Sequence, residues 1–368
     1  MSSLNQYLSF LASDPSNPNL LTDIAKEYRR IKQNKEALYY IEKAYALSKD
    51  IASLEYGLIL THMEYYEKAI PYFEHALKLQ ESVIARYHLS FCHYKLNHMD
   101  IAFDILAQLN PDEINHESQM LMAKILHHLN QLDEAILLLE HLVMQCPTNA
   151  EMLGSLCLLH FDAGHFEEAY ALSLQTITID ARNYEALLVK AMFDAKEGKL
   201  TLDETMTLIS IQPEDCRAWF LLGCFNLAKT NIKDAELAFN EAKKHHPAFY
   251  DNLISLAWCQ LLQDKFELAF KNFTYAASIN AHESEGLAGI AIIHHLQGNP
   301  KLAKEALDNI TESQASFLSH VAFAMVYQNN DETKFNAHFE KAFPGIERIM
   351  SDGITDVFQQ LKKTVTWH

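Results

Sequence analysis

The stretch CRAWFLLGCFNLAKTNIKDAELAFNEAKKHHP, residues 216–247, decides how this chain is read. It packs two cysteines, two histidines and several carboxylates into 32 residues. It is therefore either a chemical site or one copy of a structural unit that happens to contain those residue types. Two of its small residues, Gly223 and Ala235, stand twelve apart. Two helices cross closely only where both present small side chains, so such a pair marks the crossing point of a helical hairpin.

The same spacing recurs along the chain. Alanines at 37, 69, 102, 135, 169, 235, 269 and 303 are separated by 32, 33, 33, 34, 66, 34 and 34 residues, the 66 being two units with a degenerate copy between. Twelve residues before each stands Ala25, Gly57, Ser90, Ala123, Cys157, Gly223, Ala257 or Ala291. Between the two small positions a residue that tolerates left-handed backbone recurs: Asn97, Asn130, Gly164, Gly198, Asp264, Gly298 and Asn330. A tight helix C-terminus needs positive φ there. A fixed period of this length identifies a stacked repeat array.

The bulk numbers agree. Only 10 glycines and 9 prolines occur in 368 residues and nearly half the chain is apolar, which predicts an all-α fold with ample core. The 48 acidic and 30 basic side chains give a net charge of −18, which repels phosphate backbones and anionic lipid and argues against nucleic acid and membrane partners. Six cysteines without a C-x-x-C pair read as reduced core residues. The start lacks a basic region followed by a long apolar one, and no run of 18 apolar residues occurs, so the expected location is cytoplasmic.

Trp219, Leu222, Gly223, Ala235, Phe239, Ala242 and Pro247 resemble the tetratricopeptide repeat pattern W-x2-L-G-x2-Y, A-x3-F-x2-A-x4-P, with Asn226 where the family prefers tyrosine. About ten copies in register cover residues 18–349, starting near Pro18, Asp50, Val83, His116, Ala150, Tyr184, Cys216, Tyr250, Ser284 and Ser316. The resemblance implies an α-solenoid, a right-handed superhelix of helical hairpins. The sixth copy departs most, offering only Asp203 in strict register or Thr205 two residues later, which predicts an irregularity near 200–215. Residues 1–17 are expected to form an N-terminal capping helix and 350–368 a C-terminal one, since a terminal hairpin has no neighbour over its outer face.

The chemistry-bearing residues have plainer readings. The pairs His127-His128, His245-His246 and His294-His295 point about 100° apart on a helix, and Cys157-His160 or His88-Cys92 are two ligands looking for two more, so no metal is expected. Asp133-Glu134, Glu167-Glu168 and Asp331-Glu332 recur at the starts of second helices, where negative charge suits the helix dipole. No G-x-S-x-G, P-loop, G-x-G-x-x-G or H-E-x-x-H occurs. Neither an enzyme nor a cofactor is expected.

In repeats of this family the first helix of each hairpin lines a concave surface that binds a partner's peptide or helix. Carried onto this sequence, the resemblance makes Leu54, Leu58, Tyr87, Phe91, Tyr94, Met120, Phe161, Met192, Phe220, Trp258, Ile292 and Tyr327 the groove candidates. The carboxylate clamp of co-chaperone relatives needs polar donors where Leu54, Leu58, Tyr87 and Phe91 stand, so it is disfavoured. The expected function is a non-catalytic scaffold or adaptor holding an apolar or amphipathic segment of a protein partner, with self-association left open. The alternatives are a self-inhibited regulatory sensor or adaptor switched by peptide or partner binding, or a non-catalytic subunit of an enzyme or secretion complex.

Overall fold

The computed structural model describes residues 3–109, 115–311, 315–328 and 330–342, which form twenty-one α-helices and no strand. The C-terminal capping helix expected over 350–368 lies outside the described residues. The chain divides into two units, Met1–Asn183 and Tyr184–His368.

Unit 1 opens with α1 (Ser3–Ser13), whose Leu11 packs on the core below. Five hairpins follow. They are α2 (Pro18–Arg30) with α3 (Asn34–Leu47), α4 (Lys49–His62) with α5 (Tyr66–Leu79), and α6 (Val83–Lys95) with α7 (Met99–Leu106). Then come α8 (His116–His128) with α9 (Leu132–Gln145) and α10 (Ala150–Asp162) with α11 (Phe166–Ile179). Unit 2 also has five hairpins. They are α12 (Tyr184–Lys196) with α13 (Leu202–Ile211), α14 (Cys216–Ala228) with α15 (Ile232–His245), and α16 (Tyr250–Leu262) with α17 (Phe266–Ile279). Last are α18 (Glu285–Leu296) with α19 (Pro300–Asp308) and α20 (Phe317–Tyr327) with α21 (Glu332–Ala342).

The small pairs sit where the helices of each hairpin cross. The eight alanines of the period are fully buried, as are Ala25 and Ala257. Where the facing residue carries a polar group, that group is satisfied across the crossing. The Ser90 hydroxyl donates to the Ala102 carbonyl at 2.7 Å, and the Cys157 thiol donates to the Ala169 carbonyl at 3.2 Å. At Gly223 a Cβ would lie 2.3 Å from the ring of fully buried Phe239, so anything larger than glycine at this crossing must displace that ring.

The turns of the first nine hairpins close the same way. Residues 32, 64, 97, 130, 164, 198, 230, 264 and 298 have φ between 59° and 80°. The next N–H usually reaches back to the carbonyl five residues earlier, as from His98 to His93 at 2.9 Å and from Asn231 to Asn226 at 2.9 Å. That 6→1 bond is the signature of a Schellman helix end. Six of these positions hold the expected Gly, Asn or Asp, whereas Lys32, Glu64 and Thr230 take left-handed backbone despite their side chains.

The sixth hairpin has its own start signal. Thr201 and Glu204 form a capping box that sets the first turn of α13, a helix of 10 residues against 14 in α15. Thr205 is fully buried and Asp203 is exposed, so the interior place falls two residues after strict register. Lys190 on α12 bridges Asp194 and Glu204 and ties the pair together. Burial alone would raise the Glu204 pKa, but the hydrogen bonds from Lys190 and Thr201 prevail and hold it down at about 2.

Candidate functional site

The first helices of unit 1 bring side chains four and three residues apart onto one face. On α6 this aligns Tyr87, Phe91 and Tyr94, all half-buried. Tyr87 and Phe91 stack with ring centroids 6.2 Å apart and planes 17° apart, and Tyr66 of α5 meets Phe91 edge-on at 6.1 Å. A pocket of about 560 Å³ opens beside them, walled by Met120 and Leu121 of α8 and Met152 of α10. Its polar rim is Lys95, His116, Glu117, Lys124, Asn149 and Glu151.

The rim is electrostatically paired in part. Lys124 meets Glu151 at 3.0 Å, linking α8 to α10, and the Lys95 ammonium lies 5.5 Å over the Phe91 ring. Burial, then the nearby charges of Glu117 and Glu151, push the Tyr87 phenol pKa up. Tyr87 is thus a neutral hydroxyl at any physiological pH.

The remaining candidates of unit 1 lie to either side. Leu54 and Leu58 of α4 are half-buried against the core of the first three hairpins. Phe161 of α10 is half-buried and meets Phe166 edge-on at 5.6 Å. On α2, Arg29 forms a two-point ion pair with Glu55 of α4, at 2.6 and 3.2 Å, while Lys26 stays exposed. Met120 is 7% exposed, buried as a residue yet lining the pocket.

Unit 2 places the same repeat positions differently. Met192 of α12 is half-buried. Phe220 of α14 leans on Phe239 at 5.7 Å and Phe249 at 5.0 Å, and Trp258 of α16 stands edge-on to Phe273 at 5.6 Å. Two expectations are corrected here. Ile292 of α18 is fully buried within the core of the last three hairpins, so it presents nothing to a partner. Tyr327 of α20 is 6% exposed, stacked on Phe323, with the Lys334 ammonium 4.7 Å over its ring. For Ile292 the cause is local: Gly286 and Gly289 let α18 press onto α17, where added Cβ atoms would lie 2.8 Å from the Phe273 carbonyl and 2.5 Å from its ring.

Glu117, Lys124, Glu151 and Met152 belong to the pocket and were missed from sequence. Lys124 stands at the ninth repeat position, as Leu58, Phe91 and Trp258 do, whereas Glu117 and Glu151 stand at the second, which holds none of the apolar candidates; searching for apolar residues passed all three over. Met152 has no such signal.

The residues that could suggest other chemistry are engaged elsewhere. His88 stacks on Phe73 at 5.7 Å, and burial, with a smaller effect from Arg29, lowers its pKa to about 4. Burial, then the Asp251 charge, pushes the Cys224 thiol up to about 12, far from a reactive thiolate. None of the six cysteines is in a disulfide. Among the described residues no three His, Cys, Asp or Glu side chains group to hold a metal ion, and no helix is long and apolar enough to cross a membrane.

The family described as anaphase-promoting complex, cyclosome, subunit 3 matches residues 62–142, less than a quarter of the chain. The chain is similar to the BBSome complex member BBS4 of Bos taurus, 22% identical over 276 residues, 73% of this chain and 53% of BBS4. It therefore spans about half the length of that curated relative. The human IFIT1 dimer with PPP-AAAA superposes with a TM-score of 0.53 at 16% identity, over 89% of this chain and 90% of that one. The APC/C hetero-tetramer Cut9-Hcn1 gives 0.47 at 16% identity, over 91% and 80%. Identities this low speak for the fold alone. With the period, the paired small residues and the Schellman turns, the IFIT1 likeness defines the class of fold: an α-solenoid of tetratricopeptide-type helical hairpins.

Proposed function

We propose that the chain is a non-catalytic interaction scaffold that holds an apolar or amphipathic segment of a protein partner against the first helices of unit 1. One observation carries this reading: Tyr87, Phe91, Met120 and Met152, from three successive first helices, converge on one open pocket with a polar rim. Aromatic and methionine side chains on such a surface suit a segment with bulky apolar anchors. Leu54, Leu58, Tyr94 and Phe161 extend the surface in unit 1, and Met192, Phe220 and Trp258 are the places in unit 2 where a segment would find half-buried apolar side chains. BBS4 is named as a member of a complex, which supports a subunit role in a multiprotein assembly. The charge of −18 supports protein over nucleic acid as the partner, and cysteines without disulfides support a cytoplasmic location.

The test is affinity purification of the full chain from its native cell with crosslinking and mass spectrometry. Tyr87→Ala combined with Phe91→Ala is expected to leave helicity near wild type with a modestly lowered melt, and to reduce recovery of the direct partner at least tenfold. Undiminished recovery of that partner would remove the groove from the function.

A further inference from the structure

The unit 1 pocket joins two kinds of lining, and that decides what side chain it takes. α6 contributes the stacked rings of Tyr87 and Phe91. α8 and α10 contribute Met120 and Met152 together with Glu117 and Glu151, both carboxylates close enough to the Tyr87 hydroxyl to act on its ionisation. The protein also shows how a cation sits here, because the Lys95 ammonium rests over the Phe91 ring and the Lys124 ammonium on Glu151.

Resting on the groove reading above, we infer that the pocket is the seat of an arginine side chain of the partner segment, flanked by apolar residues. Arginine has an apolar stem that lies along Met120 and Phe91, a planar head that stacks on an aromatic face, and a fork of donors that spans two carboxylates. Lysine offers the charge without the plane or the fork. Glutamate or aspartate in the same place could reach Lys95 or Lys124 only by drawing them off the Phe91 ring and Glu151, and would stand beside Glu117 and Glu151. The surplus of 48 acidic over 30 basic side chains draws a basic segment toward the chain from a distance. Lys124 is the intramolecular competitor: it occupies the Glu151 lobe at 3.0 Å while remaining exposed enough to swing out.

The methionine methyl groups give a direct readout, since Met120 and Met152 both line the pocket. The full chain labelled with ¹³C-methyl methionine is titrated with the tripeptide amides acetyl-Leu-Arg-Leu, acetyl-Leu-norleucine-Leu and acetyl-Leu-Glu-Leu. Met120→Leu and Met152→Leu assign the two signals. The arginine peptide is expected to shift both methyl resonances saturably and at least tenfold more tightly than the glutamate peptide. Glu117→Gln with Glu151→Gln should abolish that preference while leaving the melt unchanged, and Lys124→Ala should tighten arginine binding several-fold. A structural role for Lys124 would not produce that gain. If the norleucine or glutamate peptide binds as tightly as the arginine one, or the double glutamine variant keeps the preference, the arginine seat is overturned and the groove stands. If no peptide moves either methyl, both readings fall.

Discussion

On α6 the fifth and ninth repeat positions, Tyr87 and Phe91, stay half-buried and line a pocket; on α18 the ninth, Ile292, is sealed in the core. The repeat is the same and so is the register. What differs is the neighbouring surface. α18 reads EGLAGIAIIHHL, and its glycines seat it directly on Phe273, so the last three hairpins close around it. α6 reads VIARYHLSFCHYK, and its large rings stand between helices and hold a space open. A repeat position therefore specifies a direction, and the bulk of the neighbours decides whether that direction leads to solvent or to core.

The largest expected effect separates a core ring from a groove ring. Phe239→Ala should cost about 3–5 kcal/mol, because Phe239 is fully buried and the helices around it cannot collapse into the void. Phe91→Ala should cost less than about 1 kcal/mol beyond its lost contact area, as its ring already borders open space. Urea denaturation of both variants checks the contrast, and equal losses would erase it.

Next is the glycine that closes α18. Gly289→Ala places a Cβ 2.5 Å from the buried Phe273 ring, which must shift, at about 1–3 kcal/mol. A melt unchanged by this substitution would show that tight seating is not what buries Ile292.

A pH dependence probes the core beneath the groove. His88 is neutral in the fold because burial, then Arg29, lowers its pKa from 6.5 to about 4. Between those values the unfolded chain binds a proton that the folded one refuses, so the contribution is fully present above about pH 6.5 and is lost as pH falls toward 4. Denaturation midpoints at pH 7, 5.5 and 4.5 should fall more steeply for wild type than for His88→Gln. Parallel slopes would mean that His88 takes up its proton without opening the hairpin.

The smallest effect is at a turn. Thr230 holds φ at 63° with a β-branched side chain, so Thr230→Gly should stabilise the chain by about 1 kcal/mol despite the added freedom of the unfolded state. A destabilised variant would show that the Thr230 hydroxyl, 2.6 Å from the Lys229 carbonyl, matters more than the backbone strain.

Much of the solenoid was legible because its determinants are local in sequence. Ala37 to Ala303 mark crossings, since a close approach excludes larger residues, and Asn97, Asn130 and Gly164 mark turns, since positive φ favours them. Lys32, Glu64 and Thr230 were illegible as turns because the Schellman bonds around them impose the conformation without the residue's help. The groove was legible in direction only. Tyr87, Phe91 and Tyr94 stand at positions the register singles out and do line the pocket, whereas Ile292 and Tyr327, at equivalent positions, do not.

The segment 216–247 shows where the boundary falls. By itself the sequence determined that it is a hairpin: Gly223 facing Phe239 and Ala235 at the crossing follow from spacing and size, which a short stretch of chain contains. It also determined an acidic all-α repeat array. Only the tertiary structure decided which apolar faces are open, which carboxylates stand beside Tyr87, and which rings are locked away. Those properties depend on contacts between different helices, from Gly289 on Phe273 to Glu151 beside Tyr87, and on whether bulk or its absence meets across a helix pair.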